Sequence, residues 1–315
     1  MGSLTTYAAI LALTLSVAIP ASAAPISSHT FTIGDATIQV DFGPGKFDLP
    51  TPTILSWVET CAKSVTIYYG RFPVARARIL ILPVAGEHGV LQGTTWGNLH
   101  GFPGFTRIRL GEHTTTADLA ADWTLTHELI HTAFPDLPDD QHWLEEGLAT
   151  YIEPIARTQN DQLSVTQVWD GMMQGMPNGE PEQGDRGLDR THTWGRTYWG
   201  GAMFCLMADI AIHRQTNNRQ GLQDAVRAIV NAGGGIDKDW PLPRTLAIGD
   251  HATGTTVLTD LYRQWSTAPA QVDLTDLWNK LGVHSGPNGI TLDSTAPWAK
   301  IREAITTPRP TSTSR

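Results

Sequence analysis

The segment Thr124–Glu153 decides the fold, and it runs TLTHELIHTAFPDLPDDQHWLEEGLATYIE. It contains the motif H-E-x-x-H, formed by His127, Glu128 and His131. On a helix this spacing places both imidazoles on one face, one turn apart, where they can bind one metal ion. Glu128 directly follows the first histidine, so its carboxylate can reach a water molecule beside the metal. The segment therefore predicts a metal site on a helix.

A second helix is predicted to begin at about Trp143 and to supply the third ligand. Its first turn carries Glu145 and Glu146, and His142 precedes it at the end of the loop. All three side chains are suitable ligands, since carboxylates and neutral imidazoles both bind zinc. Two imidazoles and one further ligand, with a fourth position open, form the ligand set of a catalytic zinc site. We therefore expect one bound Zn²⁺ ion.

Composition places the chain among globular proteins. It has 315 residues, of which 41% are hydrophobic and 17% are charged, and this balance is typical of a folded chain with a sizeable core. The formal net charge of −9 argues against a nucleic-acid binder or a binder of acidic membranes. The chain has 11 tryptophans, and most of them are expected to pack in the core.

The N-terminal residues are typical of an exported protein. Residues 1–24 carry no charged side chain, and an apolar stretch, Tyr7–Ile19, precedes the small residues Ala21, Ser22 and Ala23. This arrangement predicts a signal peptide that is cut near Ala23, and hence a secreted or periplasmic protein. A retained membrane anchor is the alternative, although the apolar stretch is short for a transmembrane span. No stable membrane insertion is expected after removal of the signal.

The two cysteines, Cys61 and Cys205, leave the redox state open. A disulfide between them is compatible with export, whereas their apolar helical surroundings favour two buried thiols. The chain has no cysteine cluster for structural zinc and no Cys–His pairing typical of a thiol protease.

The order of the predicted elements indicates an α+β fold. Residues 25–134 are predicted to form a strand-rich part that ends with the zinc helix, and residues 135–305 a mainly helical part of the same domain. Residues 306–315 are rich in Pro, Ser and Thr and are predicted to form a flexible tail. Strands are predicted at 30–42, 77–84 and 105–110, and a short segment at 289–293 precedes the last helix. Helices are predicted at 54–69, 116–134, 143–157, 167–173, 196–214, 219–232, 255–266, 274–281 and 297–305.

Three further segments bear on the predicted site. Gly86–Gly104 is rich in glycine and is predicted to be an ordered loop beside the metal. Phe105–Leu110 alternates apolar residues with arginine and predicts an edge strand, to which an extended peptide could add. Asn178–Arg190 predicts a long loop that lines or covers the site.

Two motifs in this sequence resemble those of a known family. Trp143–Glu153, W-L-E-E-G-L-A-T-Y-I-E, resembles the W-L-x-E-G-F-A-x-Y-x-E segment of the gluzincin zinc aminopeptidases. In that family the Glu before the Gly is the third zinc ligand, which corresponds to Glu146. Tyr198–Ala202, Y-W-G-G-A, is similar to the family's Y-x-K-G-A, whose Tyr stabilises the oxyanion and corresponds to Tyr198. Residues 281–305 are similar to the end of peptidase-MA-like proteins, including relatives of the glycyl aminopeptidases.

The resemblance implies a fold, an activity and a set of site residues. The fold is a thermolysin-like zincin catalytic domain, and the activity is that of a secreted zinc metallopeptidase acting on peptides or proteins. His127, His131 and Glu146 would hold one Zn²⁺ ion. Glu128 would act as general base, and Tyr198 would stabilise the oxyanion.

Departures from the family pattern leave several alternatives open. The family's G-x-M-E-N motif, whose Glu grips the free amine of the substrate, has no counterpart ahead of the zinc helix, where Glu112 is the only nearby carboxylate. Aminopeptidase and endopeptidase activity therefore both remain open. Gly200 stands where the family has Lys, and His192 is an alternative oxyanion donor. A catalytically silent zincin-like binding protein, or a zinc hydrolase acting on a non-peptide amide or ester, is a competing function. Glu128 favours an enzyme, because a purely structural site does not need it.

Overall fold

The computed structural model describes residues 27–287 and 289–309, and these residues form an α+β fold. A five-stranded sheet is built from the N-terminal part, and most helices follow it. The strands are β1 (Ser27–Ile33), β2 (Ala36–Phe42), β3 (Arg76–Val84), β4 (Val90–Leu99), β5 (Phe102–Gly111), β6 (Val283–Gly286) and β7 (Gly289–Leu292). The helices are α1 (Thr51–Tyr69), α2 (Thr116–Ala121), α3 (Thr124–His131), α4 (His142–Gln159), α5 (Val165–Gly175), α6 (Gly201–Gln215), α7 (Leu222–Asn231), α8 (Leu242–Thr253), α9 (Val257–Trp265), α10 (Leu274–Leu281) and α11 (Ala299–Thr306).

The larger sheet has the strand order β1-β2-β3-β5-β4. Strands β2, β3 and β5 are parallel, and the outer strands β1 and β4 run antiparallel to their neighbours. Ile79 and Ile81 of β3 and Ile108 and Leu110 of β5 are fully buried. The residues between them point to the opposite face, as the pleat of a strand requires. The sheet thus has one face in the core.

The prediction of an irregular loop over Gly86–Gly104 was wrong, because residues 90–99 form the edge strand β4. Its side chains are mostly half-buried, and its pairing with β5 shifts register between Val90 and Gln92. Glycines within a strand weaken the sequence signal, and they commonly mark a bulge or a close approach of other groups. This segment is therefore a strand because it pairs with β5, and its own composition gives little sign of it.

The strand predicted at 105–110 is present as β5, but its predicted position at the edge was wrong, because β5 lies between β3 and β4. The alternating arginines indicate that one face of the sheet is polar, and they say nothing about the position of the strand in the sheet. Arg107, for example, stacks over the ring of Trp96 on the adjacent strand, 5.1 Å from its centroid. On this side of the sheet the edge strand is β4.

The predicted helix 116–134 is divided into α2 and α3. The break lies at Asp122, whose carboxylate oxygens accept hydrogen bonds from the N–H groups of Thr124 and Leu125 at 3.0 and 3.1 Å. A side chain that caps the first turn in this way starts a new helix. The H-E-x-x-H motif therefore occupies its own short helix, which ends at His131.

The helical part agrees with the predicted pattern except at two places. The predicted helix 196–214 begins with a turn of π-helix, Arg196–Gly200, before α6. Helix α8 was not predicted, because Pro243 and Gly249 weaken its helical signal. The extra residue per turn in the π-helical segment changes the direction in which its side chains point, and such turns are frequent at functional sites.

Helices α4 and α6 cross at two glycines with no side chain between them. A methyl group built on Gly147 would overlap the backbone of Gly201, and one built on Gly201 would overlap the carbonyl oxygen of Trp143. Only glycine permits so close an approach of two backbones. Gly147 directly follows Glu146, and Gly201 follows the π-helical turn that carries Tyr198. The crossing therefore brings these two side chains to one place.

The two cysteines are buried free thiols, Cys61 in α1 and Cys205 in α6. Burial raises the pKa of Cys61 to about 12, so this thiol stays protonated at neutral pH. Of the two alternatives that the sequence leaves open, the structure has the pair of free thiols.

The predicted signal peptide, residues 1–24, lies outside the described residues, as do residues 310–315 of the predicted tail. Within the described part of the chain, no helix combines the length and the apolar character that a membrane span requires.

We expect Gly147→Ala to destabilise the fold by about 1–3 kcal/mol or more, because the added methyl group meets backbone that cannot rotate away. The matched control is Gly171→Ala in α5, where an added methyl group meets no atom within 4 Å. There the higher helix propensity of alanine should stabilise the protein by up to about 1 kcal/mol. Urea unfolding of both variants measures the difference, and equal effects would contradict the close crossing.

Candidate active site

Three predicted metal ligands meet between α3 and α4. His127 Nε2 lies 3.0 Å from Oε2 of Glu146, and His131 Nε2 lies 3.7 Å from the same oxygen. One ligand atom from each of the three residues lies within 4.8 Å of the others. Zinc bonds of about 2.0–2.2 Å in a tetrahedral site place neighbouring ligand atoms about 3.3 Å apart. The arrangement therefore fits one zinc ion.

The neighbouring carboxylate and the third histidine are placed differently. Glu145 accepts a hydrogen bond from the N–H of Leu137 at 3.1 Å and is bonded to His142 Nδ1 at 2.9 Å. The His142 side chain is 52% exposed, and its Nε2 lies 3.2 Å from Oε1 of Glu146. It is the first residue of α4, rather than part of the loop before it. Glu145 and His142 thus lie outside the group of three converging ligand atoms, and His142 contacts Glu146.

The charges in the site suit metal binding, which needs neutral imidazoles and an ionised carboxylate. Burial lowers the pKa of His131 to about 4, so its imidazole is neutral at pH 7. Burial of Glu146 acts to raise its pKa, but hydrogen bonds from His127 and His142 outweigh this and hold the pKa well below its usual range. His131 and Glu146 therefore have the ionisation states that zinc binding requires.

Glu128 is held against β4 by a threonine and a glycine. Its Oε2 lies 2.8 Å from Thr95 Oγ1, and that hydroxyl also lies 3.0 Å from Thr106 Oγ1. A methyl group built on Gly93 would overlap the Glu128 side chain, so only glycine leaves room for the carboxylate. Burial raises the pKa of Glu128, which moves it towards the range of an effective general base. Sequence reasoning missed Gly93 and Thr95, because their contacts are made across the fold.

Tyr198 faces the same group of ligands from the π-helical turn. Its ring stacks on that of His127 with centroids 6.3 Å apart, and on that of Trp194 at 6.0 Å. Burial, together with the charges of Glu146 and Glu128, raises the pKa of Tyr198 to about 12, so the hydroxyl remains a donor. His192, the alternative donor, is exposed and is not among the residues that line the cleft.

The turn that carries Tyr198 is fixed by a buried arginine. The Arg196 guanidinium forms an ion pair with Asp185, with Nε and Oδ2 2.7 Å apart, and it also contacts the carbonyl oxygen of Gly179. Both charged side chains are almost fully buried. These contacts attach the predicted loop Asn178–Arg190 to the base of the turn, so the loop supports Tyr198 from behind.

These side chains open into a cleft of about 640 Å³, a volume within the range of ligand sites. One wall is the β4 segment 90–95, and the opposite wall is formed by α3 and the start of α4. Asp136 and Asp139 lie on the exposed loop at its rim.

A second group of possible ligands, Asp48, Glu112 and His113, lies away from the cleft. Glu112 is paired with Lys46 at 3.0 Å and accepts a hydrogen bond from the N–H of Gly86. His113 is bonded to Asp48 at 2.7 Å. These polar groups already satisfy one another, which makes the buried group in the cleft the better candidate.

Comparison with known proteins supports the resemblance at the level of the fold. An aminopeptidase N family protein from Idiomarina loihiensis has a TM-score of 0.58, with 12% identity over 82% of this chain and 49% of that one. An M1 zinc metallopeptidase from Deinococcus radiodurans has a TM-score of 0.50, with 15% identity over 79% of this chain and 53% of that one. A two-domain M1 zinc metallopeptidase bound to L-arginine has a TM-score of 0.51, with 15% identity over 79% of this chain and 54% of that one.

The structural neighbours are thus M1 zinc metallopeptidases, and the strand-rich first part and helical second part of this chain match their peptidase domains. The chain spans about half the length of these neighbours. No family model matches the sequence, and the search of curated proteins finds no match.

We expect the purified protein to bind one Zn²⁺ ion per chain, and Glu146→Gln to abolish stoichiometric binding. The loss of affinity should exceed the roughly 10- to 100-fold cost of removing an outer-shell partner. The control is Glu145→Gln, which should retain one ion. The zinc content of both variants is measured after dialysis against a chelator of known affinity. If Glu146→Gln retains zinc and Glu145→Gln loses it, the assignment of Glu146 as the ligand is contradicted.

Proposed function

We propose that this protein is an exported zinc-dependent peptidase of the thermolysin-like zincin type, with 25–305 as its catalytic domain. The observation that carries the proposal is the convergence of His127, His131 and Glu146 at one point, with Glu128 and Tyr198 beside them. The M1 fold supports a zinc peptidase, and the predicted signal at residues 1–24 supports export.

The residues present can share the work of peptide hydrolysis. Zinc held by the three ligands would polarise the substrate carbonyl and lower the pKa of a nearby water towards 7. Glu128, fixed by Thr95, takes a proton from the attacking water and passes it to the leaving amine. Tyr198 donates a hydrogen bond to the oxyanion that develops on the carbonyl. The stacking of its ring on His127 holds the hydroxyl at the edge of the ligand group.

The edge of β4 supplies a binding surface for an extended substrate. On one side β4 pairs with β5, and its other edge borders the cleft. A peptide that adds to this edge gains main-chain hydrogen bonds, which do not depend on its sequence. We therefore assign the binding of an extended peptide, which the sequence suggested for 105–110, to the neighbouring strand β4.

The cleft favours cleavage within a chain over removal of single N-terminal residues. The β4 wall between Val90 and Thr95 carries no acidic side chain that could grip a free amine, and the acidic residues Asp136 and Asp139 lie on the exposed loop at the rim. Glu112, the carboxylate that precedes the zinc helix in the sequence, lies outside the cleft and forms an ion pair with Lys46. We therefore propose an endopeptidase. The position of Glu128 against the cleft disfavours a catalytically silent binding protein.

We expect the zinc-loaded protein to cut a peptide library at internal bonds, and to cut N-acetylated and free peptides at similar rates. Glu128→Gln should lower kcat/KM by about 10²- to 10⁴-fold, the usual contribution of general acid–base catalysis, while zinc remains bound. Mass spectrometry of the products identifies the cleaved bonds. Failure of the wild type to cut any peptide would overturn the proposed activity, and exclusive loss of N-terminal residues would overturn the endopeptidase preference.

A further inference from the structure

A second cavity lies behind His127 and Tyr198. Its volume is about 490 Å³, larger than any single side chain, and its surface is mainly apolar. We call it the tryptophan pocket, because three of its lining residues are tryptophans. Its lining includes Trp123, Trp194, Trp199, His127, Tyr198 and Glu153.

The tryptophan pocket adjoins the metal cleft. Trp123, His127 and Tyr198 line both cavities. A predicted metal ligand and the predicted oxyanion donor therefore form the wall between them. A chain that passes through the cleft has its scissile bond at this wall, so the side chain that can enter the pocket belongs to a residue next to that bond.

Two exposed tryptophan side chains lie at the tryptophan pocket. Among the described residues, the exposed large hydrophobic side chains are Leu91, Trp123, Val165 and Trp194. Trp123 and Trp194 line the pocket, although 53% and 64% of their surface is exposed. Clustered exposed apolar groups commonly mark a binding site. Aromatic rings at the mouth of a pocket can cover an apolar ligand with little loss of conformational entropy.

The one acidic group in the lining of the tryptophan pocket is already neutralised. Glu153 Oε1 lies 3.0 Å from Nη1 of Arg157, and both side chains are buried. Arg157 also donates a hydrogen bond to the carbonyl oxygen of Ala120. A basic side chain in the pocket would have to compete with this internal partner, whereas an apolar side chain would not.

We propose that the tryptophan pocket binds an aromatic or long aliphatic side chain of the peptide substrate, at a residue directly beside the scissile bond. This inference rests on the proposed peptidase function, and it specifies the class of substrate. The pocket would then select the bond to be cut, while β4 binds the backbone without regard to sequence.

Gly171 provides a direct way to fill the pocket. It lies within α5, on the same helical face as Gln167 and beside the buried Val168 and Met172. A methyl group built on it meets no atom within 4 Å, and leucine is a better helix former than glycine. Gly171→Leu should therefore fold and occupy part of the pocket. The matched control is Thr166→Leu, at an exposed position of α5 that does not line the pocket.

The test uses peptides that differ in one residue, Phe, Leu, Ala or Lys, placed on either side of a bond that the wild type cleaves. The wild type should cut the Phe or Leu peptide at least about tenfold faster, in kcat/KM, than the Ala peptide. Gly171→Leu should reduce this ratio to about threefold or less, whereas Thr166→Leu should leave it unchanged. Thermal unfolding checks that both variants fold. An unchanged ratio in Gly171→Leu, or a preference for Lys, would overturn the proposal.

A binding measurement separates this proposal from the proposed activity. In the zinc-loaded Glu128→Gln background, calorimetry should show the Phe peptide binding at least about tenfold more tightly than the Ala peptide, and Gly171→Leu should remove the difference. Discrimination in binding without any cleavage by the wild type would overturn the peptidase function and retain the pocket. Cleavage without discrimination would overturn the pocket and retain the function.

Discussion

The contact between Gly147 and Gly201 is the constraint on which the site depends. Because no side chain separates α4 from α6 at this point, the residue before Gly147 and the turn before Gly201 are brought together. The first supplies Glu146, and the second supplies Tyr198. Each of the two family-like motifs supplies one of these glycines, Gly147 directly after Glu146 and Gly201 three residues after Tyr198. The close packing of these two backbones therefore determines where Glu146 and Tyr198 lie relative to each other.

Local sequence patterns predicted the parts of the site that lie on single helices. His127, Glu128 and His131 follow from the periodicity of one helix, and Glu146 follows from a motif on the next. The edge strand β4 could not be predicted in this way. Its Gly93 is needed because Glu128 approaches it from α3, and its Gly97 because the carbonyl oxygen of Ile236 lies against it. Both glycines are required by contacts with residues that are distant in the sequence. In the sequence alone, such glycines are typical of a loop.

The tryptophans show the same limit. Composition favoured packing of the tryptophans in the core, and Trp143 is buried there. Its indole N–H donates a hydrogen bond to Oδ1 of Asp189 at 2.8 Å. Trp123 and Trp194 are instead exposed at the mouth of the tryptophan pocket. Tryptophan occurs both in the core and at the mouth of the pocket, so only the fold distinguishes the two kinds of position. The ion pair of Arg196 with Asp185 shows a related point, since the loop Asn178–Arg190, which the sequence predicts to line or cover the site, is anchored behind Tyr198 and is not among the segments that line the cleft.

The most direct test of this account is the position of the metal in crystals grown with zinc, determined from anomalous scattering at the zinc absorption edge. The account predicts one strong peak bonded to His127 Nε2, His131 Nε2 and a carboxylate oxygen of Glu146, at about 2.0–2.2 Å from each. The Tyr198 hydroxyl should lie beside the open coordination position. A principal peak held by Glu145, or one at Asp48, Glu112 and His113, would contradict it.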